Sequence, residues 1–534
     1  MDADRIAAFL AALAPAPSRR AALRILGGLG LAGLFGQAEA RNSRRKRRRR
    51  RQRKQKRRRA RRRDDDGTTP PVDQVDPTDP PDIILIYVDD MREDDFAALP
   101  RTRALLGDQG ATYPNYFMTT PLCAPSRASF FRGQYAHNTG VQSNNGDNGG
   151  WTAFNRINED TIATWLRGAS PSYRTAHVGK HLNGYSAAQN QVGPGWSDWI
   201  VPVPVAFYDY KLNVNGKSEK HGSKQKDYLT DVLARKARTV IRTTPAATPL
   251  FIYFAPKAPH GPSTPANRHK GEFADAVLDK SGSFNEADMT DKPAYMQRDP
   301  LRQADIKALQ RSNRLRLESL LSVDEAIASL VETLEERGRL ENAYIFFVSD
   351  NGYLLGEHRR SAKNVPYEEV IRVSMLVRGP GSRGGVNDAM VANIDLAPTI
   401  AELAGADPPG YVDGRSIVET FAGSGNDRQA LLIEMFPPGP ADPEEANAVE
   451  ARLVAEQVEP TSTRRAIRTA DWLYVEHGTG ERELYDLDGE PFQLTSLHDD
   501  AGHSDEIAEL SDWLATLRDC EAASCRSAEN GPPN

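Results

Sequence analysis

The sequence predicts an α/β protein in which a large doubly wound sheet, flanked by helices, precedes a smaller α+β unit. Three observations carry this expectation. Four short apolar runs, at residues 83–88, 173–178, 250–254 and 344–348, punctuate the body of the chain. Helical apolar patterns lie between them, and a polar cluster follows each run directly.

The first and last runs are nearly continuous in Ile, Leu, Val, Tyr and Phe. Such runs fit strands covered on both faces, which usually run parallel. Within residues 317–334, Leu317, Leu320, Leu321, Ile327, Leu330, Val331 and Leu334 recur at helical spacing, and Gly338 supplies a stop. Strands alternating with helices build a doubly wound domain. Ligands in such sheets bind outside the carboxyl ends of the strands. Asp89-Asp90, Gly179-Lys180-His181, Pro259-His260-Gly261-Pro262 and Asp350-Asn351-Gly352 stand at those ends and are expected to converge on one site. A smaller α+β unit is expected over 430–534. Residues 466–476 and 483–487 read as two strands around Gly478-Thr479-Gly480, and 507–517 as a helix. Residues 437–460 are acidic and Pro-rich and suggest no element.

The chain has 534 residues, 39% hydrophobic and 26% charged, values ordinary for a soluble globular protein with room for more than one domain. Its net charge of -5 conceals an asymmetry. Residues 41–63 hold 18 Lys or Arg and no acid, while residues 64–534 hold 46 basic and 70 acidic residues. The arginine-rich arm cannot bury apolar surface and reads as disordered. It serves either as a solvated tether or as an electrostatic adhesive for a polyanion. No aromatic residues interleave with its charges, which leaves base stacking without a basis. An Asp- and Pro-rich linker completes the segment 41–81. Residues 1–40 read as an export signal. Ser18-Arg19-Arg20 precedes an apolar stretch at 25–35, and Ala38-Glu39-Ala40 offers a cleavage site. The paired arginines resemble a twin-arginine signal, so the chain is expected in the periplasm, on the cell surface or secreted. The apolar stretch is too short for a transmembrane span.

Three cysteines exclude a disulfide scaffold. Cys520 and Cys525 are close enough to pair outside the cytoplasm, which leaves Cys123 to be explained. Asp89, Asp90, Asp350 and Asn351 form an all-oxygen set of the kind that holds Ca²⁺ or Mg²⁺. A buried pair of adjacent carboxylates needs such a cation to stay ionised.

Cys123-Ala124-Pro125-Ser126-Arg127, followed by Ala128-Ser129 and Arg132-Gly133, resembles the signature of the formylglycine-dependent sulfatases, members of the alkaline-phosphatase-like superfamily. Further matches stand in family order along the chain: the run from Ile84 into Asp89-Asp90, Pro259-His260-Gly261-Pro262, Asp350-Asn351-Gly352-Tyr353, Gly356-Glu357-His358-Arg359 with Lys363, and Glu483-Leu484-Tyr485-Asp486-Leu487. The likeness runs from about residue 82 to 500 and implies a catalytic domain over 82–429. It implies that a formylglycine-generating enzyme oxidises Cys123 to an aldehyde whose hydrate presents two hydroxyls. One attacks sulfur; the other expels sulfate as the aldehyde reforms. It further makes Asp89, Asp90, Asp350 and Asn351 the metal ligands, usually of calcium, with residue 123 completing the shell. Arg127 would hold the formylglycine hydroxyl, and Lys180, His260 and Lys363 would contact sulfate.

One segment departs from the common family pattern. Leu182 stands where many sulfatases carry a second histidine, and Asn183 or His181 is left as its substitute in substrate binding. This variant, with Gly193-Pro194-Gly195-Trp196, resembles the branch of N-acetylglucosamine-6-sulfatases and implies sulfated sugars, with aryl sulfates as test substrates. Two other readings compete. One is a phosphomonoester or phosphonate monoester hydrolase of the same superfamily. The other is a polyanion-binding exported protein whose enzyme domain is inactive, a reading opposed by the intact segment from Cys123 to Arg127. Deleting residues 41–63 is expected to leave turnover of a small aryl sulfate unchanged while removing salt-sensitive retention on heparin. Retention with the same salt dependence would make the arm a tether.

Overall fold

The computed structural model describes residues 80–533 except 186–189, 281, 362, 424, 441–452 and 454–459. The expected export signal, the basic arm and nearly all of the linker lie outside them, as does most of 437–460. The described residues all fall within one compact unit.

In chain order the strands are β1 (Asp82–Val88), β2 (Ala111–Tyr113), β3 (Tyr116–Phe117), β4 (Arg174–Gly179), β5 (Asp198–Val203), β6 (Lys211–Val214), β7 (Lys217–Lys220), β8 (Leu250–Ala255), β9 (Ala343–Ser349), β10 (Met375–Arg378), β11 (Gly385–Val386), β12 (Val391–Ala392), β13 (Ala430–Met435), β14 (Arg464–Thr469), β15 (Trp472–His477) and β16 (Arg482–Asp486). Five helices organise the packing: α1 (Cys123–Arg132), α2 (Leu229–Thr243), α3 (Gln303–Glu336), α4 (Leu396–Leu403) and α5 (Ser504–Leu517).

Among the described residues, ten strands make one sheet in the order β11-β2-β10-β9-β1-β8-β4-β5-β6-β7. The centre, from β9 through β1, β8 and β4 to β5, is parallel. β10 and the edge formed by β6 and β7 pair antiparallel, so the sheet is mixed. All four apolar runs fall in the parallel centre.

Every residue of β1 is buried, and its two faces meet different layers. Ile83, Leu85 and Tyr87 pack with Phe130 and Phe131 of α1 and Ile400 of α4. Ile84, Ile86 and Val88 pack with Leu233 and Val240 of α2 and with Leu320, Ile327 and Leu330 of α3. A strand sandwiched this way needs apolar side chains at both parities, which is why its sequence does not alternate. α3 reaches well before Leu317, because its first half buries polar residues such as Ser312, Asn313 and Arg316. Gly338, at φ +66°, turns the chain out of the helix as its position suggested.

A second, antiparallel sheet of β13-β14-β15-β16 carries α5 on one face through Leu510, Trp513, Leu514 and Leu517. The single strand expected over 466–476 is a correction. The chain reverses between β14 and β15, pairing Arg468 with Leu473. Trp472 N donates to Thr469 Oγ1 at 3.0 Å and closes this turn, whose Ala470-Asp471 carries neither Gly nor Pro to announce it. Cys520 and Cys525 are joined by a disulfide, and Cys123 is buried outside any disulfide. Among the described residues, no helix is long and apolar enough to cross a membrane.

At the end of the sheet away from the polar clusters, Arg339 Nη1 lies 2.8 Å from Asp82 Oδ2, and both side chains are buried. Burial pushes the Asp82 carboxyl up to about 6 although Arg339 pulls it down. A raised value means that this group stabilises the fold fully only below its unfolded value, and the contribution fades as pH rises through about 6. Arg339→Met should therefore lose about 3–5 kcal/mol at neutral pH by stranding a buried carboxylate. Denaturant unfolding should show that loss shrinking toward pH 4; a pH-independent loss would locate the cost elsewhere.

Candidate active site

The loops after β1, β4, β8 and β9 meet the N-terminus of α1. Asp89 and Asp90 leave β1, Lys180 leaves β4, His260 follows β8, and Asp350 and Asn351 leave β9. Cys123 is the first residue of α1. Lys363 comes from the long loop after Asn351. The structure therefore brings Asp89, Asp90, Cys123, Arg127, Lys180, His260, Asp350, Asn351 and Lys363 into one buried cluster.

Its geometry is a lattice of paired charges. Cys123 Sγ lies 2.9 Å from Lys363 Nζ, 3.3 Å from Asp89 Oδ1 and 3.8 Å from Asp90 Oδ1. Lys180 Nζ donates to Asp89 Oδ2 at 2.8 Å, and Lys363 Nζ to Asp90 Oδ1 at 2.8 Å. Arg127 binds Asp350 Oδ2 through Nε at 3.0 Å and Nη2 at 2.8 Å, and its Nη1 donates to Tyr253 Oη at 2.8 Å. His260 Nε2 stands 3.6 Å from Asp90 Oδ2. Burial opposes ionisation of Asp89, but Lys180, His260, Arg127 and Lys363 outweigh it and hold the carboxyl well below its usual range. Burial, then the neighbouring Asp89, pushes the Cys123 thiol well up, against the pull of Lys180 and Lys363.

Asp90 adopts φ +65°, a left-handed conformation uncommon outside glycine. Both of its backbone groups are held: its N–H donates to Asp350 Oδ1 at 3.0 Å, and its carbonyl accepts from Arg316 of α3. The turn thereby presents two consecutive carboxylates to one site.

Asn351 tests whether a cation fits. Its Nδ2 donates to Asp90 Oδ1 at 2.7 Å and to Gly352 O at 2.8 Å. Its Oδ1 is buried without a hydrogen-bond partner. An orphaned oxygen beside buried carboxylates is what a hard cation satisfies. Asp89, Asp90, Cys123 and His260 also offer ligand atoms within 4.8 Å of one another. The residues present fit a divalent metal.

The segment after Lys180 divides. His181 turns into an aromatic box, with ring centroids 5.3 Å from Trp151 and 5.6 Å from Phe131. Its Nδ1 is 3.1 Å from His177 Nε2. Burial and Arg127 push it down to about 3, so it adds no charge to the cluster at neutral pH. Leu182 lies in the same apolar layer. Asn183 is fully buried, and its carbonyl accepts from Trp151 N at 2.8 Å.

Sequence reasoning missed four residues that shape this cluster. Arg316 grips Asp90 from a helix whose pattern announces only packing. Asn144 Oδ1 accepts from Ala124 N at 2.9 Å and caps the start of α1, where Leu122 offers no cap. Tyr253 reads as one more apolar strand residue. Lys257 adjoins His260, and a charge so close to a candidate site residue was the available signal.

Known proteins resemble this chain in sequence and fold. A family model described as Sulfatase matches residues 81–406. Human N-acetylglucosamine-6-sulfatase is 32% identical over 477 residues, covering 84% of this chain and 86% of the relative. An arylsulfatase of Volvox carteri is 34% identical over 502 residues, 83% of this chain and 75% of the relative. A Caenorhabditis elegans chain named as an extracellular sulfatase Sulf-1 homologue is 36% identical over 353 residues, which are 64% of this chain and 49% of that one. The chain thus spans about half the length of that relative. Among solved structures, one in complex with its substrate D-glucosamine-2-N,6-O-disulfate has a TM-score of 0.67 at 21% identity, covering 84% of this chain and 98% of that one. The phosphonate monoester hydrolase of Silicibacter pomeroyi has a TM-score of 0.62 at 21% identity, covering 82% and 95%. The chain belongs to the sulfatase family, a family of sulfuric ester hydrolases, with the alkaline-phosphatase-like fold.

Burial, then the charge of Asp89, pushes the Asp350 carboxyl up to about 6, with Arg127 opposing. A proton on Asp350 then competes with a cation as pH falls through that value. Calcium affinity of the metal-free protein should weaken about tenfold between pH 7 and 5 for one competing proton. Equal affinity at both pH values, by calorimetry, would remove Asp350 from the ligand set.

Proposed function

We propose that the protein hydrolyses sulfate esters through a formylglycine made from Cys123, with a Ca²⁺ or Mg²⁺ ion held by Asp89, Asp90, Asp350 and Asn351. The observation that carries the reading is the position of Cys123. Its sulfur is the meeting point of Lys363 Nζ at 2.9 Å and Asp89 Oδ1 at 3.3 Å, at the start of a helix.

A cation held by these residues would supply positive charge to offset the negative charge that the sulfuryl oxygens gather during displacement. Hydrated formylglycine supplies one hydroxyl to attack sulfur and a second whose deprotonation restores the carbonyl and releases sulfate. Arg127 orients residue 123 and fixes Asp350. Lys180 and Lys363 turn from their carboxylates toward the sulfate oxygens, and the α1 N-terminus adds its partial positive charge. His260, with a hydrogen on each ring nitrogen, presents Nε2–H to the ester oxygen and passes that proton to the departing alcohol. Asn183 contributes to substrate binding behind Lys180.

Sulfated sugars are the proposed substrates. The relatives named N-acetylglucosamine-6-sulfatase favour them. The likeness to phosphonate monoester hydrolases lies at 21% identity and concerns fold alone, so sulfate remains the preferred ester. A formylglycine-generating enzyme is the implied partner, the arm 41–63 is an adhesive for polyanions, and a twin-arginine route exports the folded chain.

Mass spectrometry of a digest should find residue 123 as an aldehyde or its hydrate. Cys123→Ser is the sharper experiment. Its hydroxyl attacks sulfur but has no second hydroxyl with which to release sulfate. The variant should turn over once and accumulate a sulfate ester on residue 123. Sustained turnover by Cys123→Ala, with the fold intact, would place the nucleophile elsewhere.

A further inference from the structure

We propose that Lys257 is a positioning residue that fixes the direction of the His260 ring, with Nδ1–H held on Gly261 O, so that Nε2 faces the ester oxygen. This rests on the role given to His260 above.

Lys257 is buried, 3% exposed, in the turn that leaves β8. A buried ammonium is unfavourable unless hydrogen bonds anchor it. Lys257 Nζ donates to Gly261 O at 2.8 Å, stands 3.2 Å from His260 Nδ1 and lies 5.9 Å from the centre of the Phe207 ring. The turn is closed a second time by its backbone, with His260 N donating to Lys257 O at 2.9 Å. Side chain and main chain of one residue thus hold the histidine and the residue after it.

The shorter of the two contacts at Nδ1 places a hydrogen on that atom. His260 Nδ1 is 2.7 Å from Gly261 O. Two lone pairs repel at that separation, so Nδ1 carries the hydrogen and donates it to the carbonyl. Gly261 O then accepts from Nδ1 and from Lys257 Nζ, one bond for each lone pair. Lys257 is a second donor to the same oxygen, and its charge bars that edge of the ring to any other group. A flipped ring would set a C–H edge against the ammonium and lose the bond to Gly261. Nε2 is left as the ring atom that faces Asp90, at 3.6 Å from Oδ2.

The experiment compares wild type, Lys257→Met, Lys257→Arg, His260→Ala and the double variant Lys257→Met/His260→Ala. Residue-123 conversion and bound calcium are measured on each. Rates are taken on p-nitrophenyl sulfate and on phenyl sulfate, whose leaving group is poorer. Loss of a group that orients a site residue typically costs about 10–100-fold in activity. Lys257→Met should lose that much in kcat on phenyl sulfate, less on p-nitrophenyl sulfate, with KM changed less than about threefold. Lys257→Arg, which keeps a donor for Gly261, should recover part of the loss. The double variant should be no slower than His260→Ala, because Lys257 acts through the ring. Losses that multiply in the double variant, or that are equal on both esters, would overturn the proposal. Wild-type rates in His260→Ala would instead overturn the role of His260 itself. Should Lys257→Met fail to fold, Lys257→Gln takes its place in the same cycle.

Discussion

Three carboxylates are buried together at the end of a parallel sheet, and the architecture around them answers that constraint. Asp89, Asp90 and Asp350 are each at most 2% exposed. Alone, such a group would take up protons or unfold the site. Arg127, Lys180 and Lys363 answer with matching charge, each within 2.8 Å of a carboxylate oxygen. The balance is uneven. Asp89 is held far below the usual range while Asp350 is pushed up to about 6, so the protein's own cations do not fully satisfy the cluster. That residual negative character, with the orphaned Asn351 oxygen, is the physical opening for a divalent ion.

The scaffold makes the cluster possible because one strand anchors both of its halves. β1 pairs with β9 over its whole length, which brings Asp350 beside Val88, and with β8 on the other side. Its two apolar faces hold α1 and α3 in opposite layers. From one layer α1 delivers Cys123 and Arg127; from the other α3 delivers Arg316 to the carbonyl of Asp90. The left-handed turn at Asp90 survives because Asp350, just past β9, holds its N–H and Arg316 holds its carbonyl. Strain at a functional turn is tolerated when its surroundings overdetermine it.

What could be read in the sequence follows the range of each interaction. Strand ends are local, so the clusters after 88, 179 and 349 are visible as polar residues behind apolar runs. Their convergence follows from the rule that parallel strands end on one side. Residues that act across the fold carry no local mark. Arg316 reads as a polar position on an amphipathic helix, and Asn144 as one more residue in an Asn- and Gly-rich loop. The turn at Ala470-Asp471 was missed for a related reason. A threonine hydroxyl closes it, where glycine or proline would have punctuated the sequence. The fate of His181 also lay beyond local reading. Whether it enters the charged cluster or the aromatic box depends on Trp151 and Phe131, which arrive from elsewhere in the chain.

The same charge balance bears on the choice of nucleophile. Thiol reactivity depends on the thiolate, which forms readily only where positive charge dominates. At residue 123 the protein groups do the opposite: burial and Asp89 together outweigh Lys180 and Lys363, and the thiol stays protonated at neutral pH. An unmodified Cys123 is thus a poor nucleophile in surroundings otherwise suited to an anionic ester. A hydrated aldehyde at that position would not depend on ionised sulfur. Its hydroxyl would lie near Asp89 and Lys363, one able to accept a proton and the other to steady developing charge. The electrostatics that quiet the thiol are those that a hydroxyl nucleophile and a sulfuryl group could use, so the proposed oxidation of Cys123 matches residue to site.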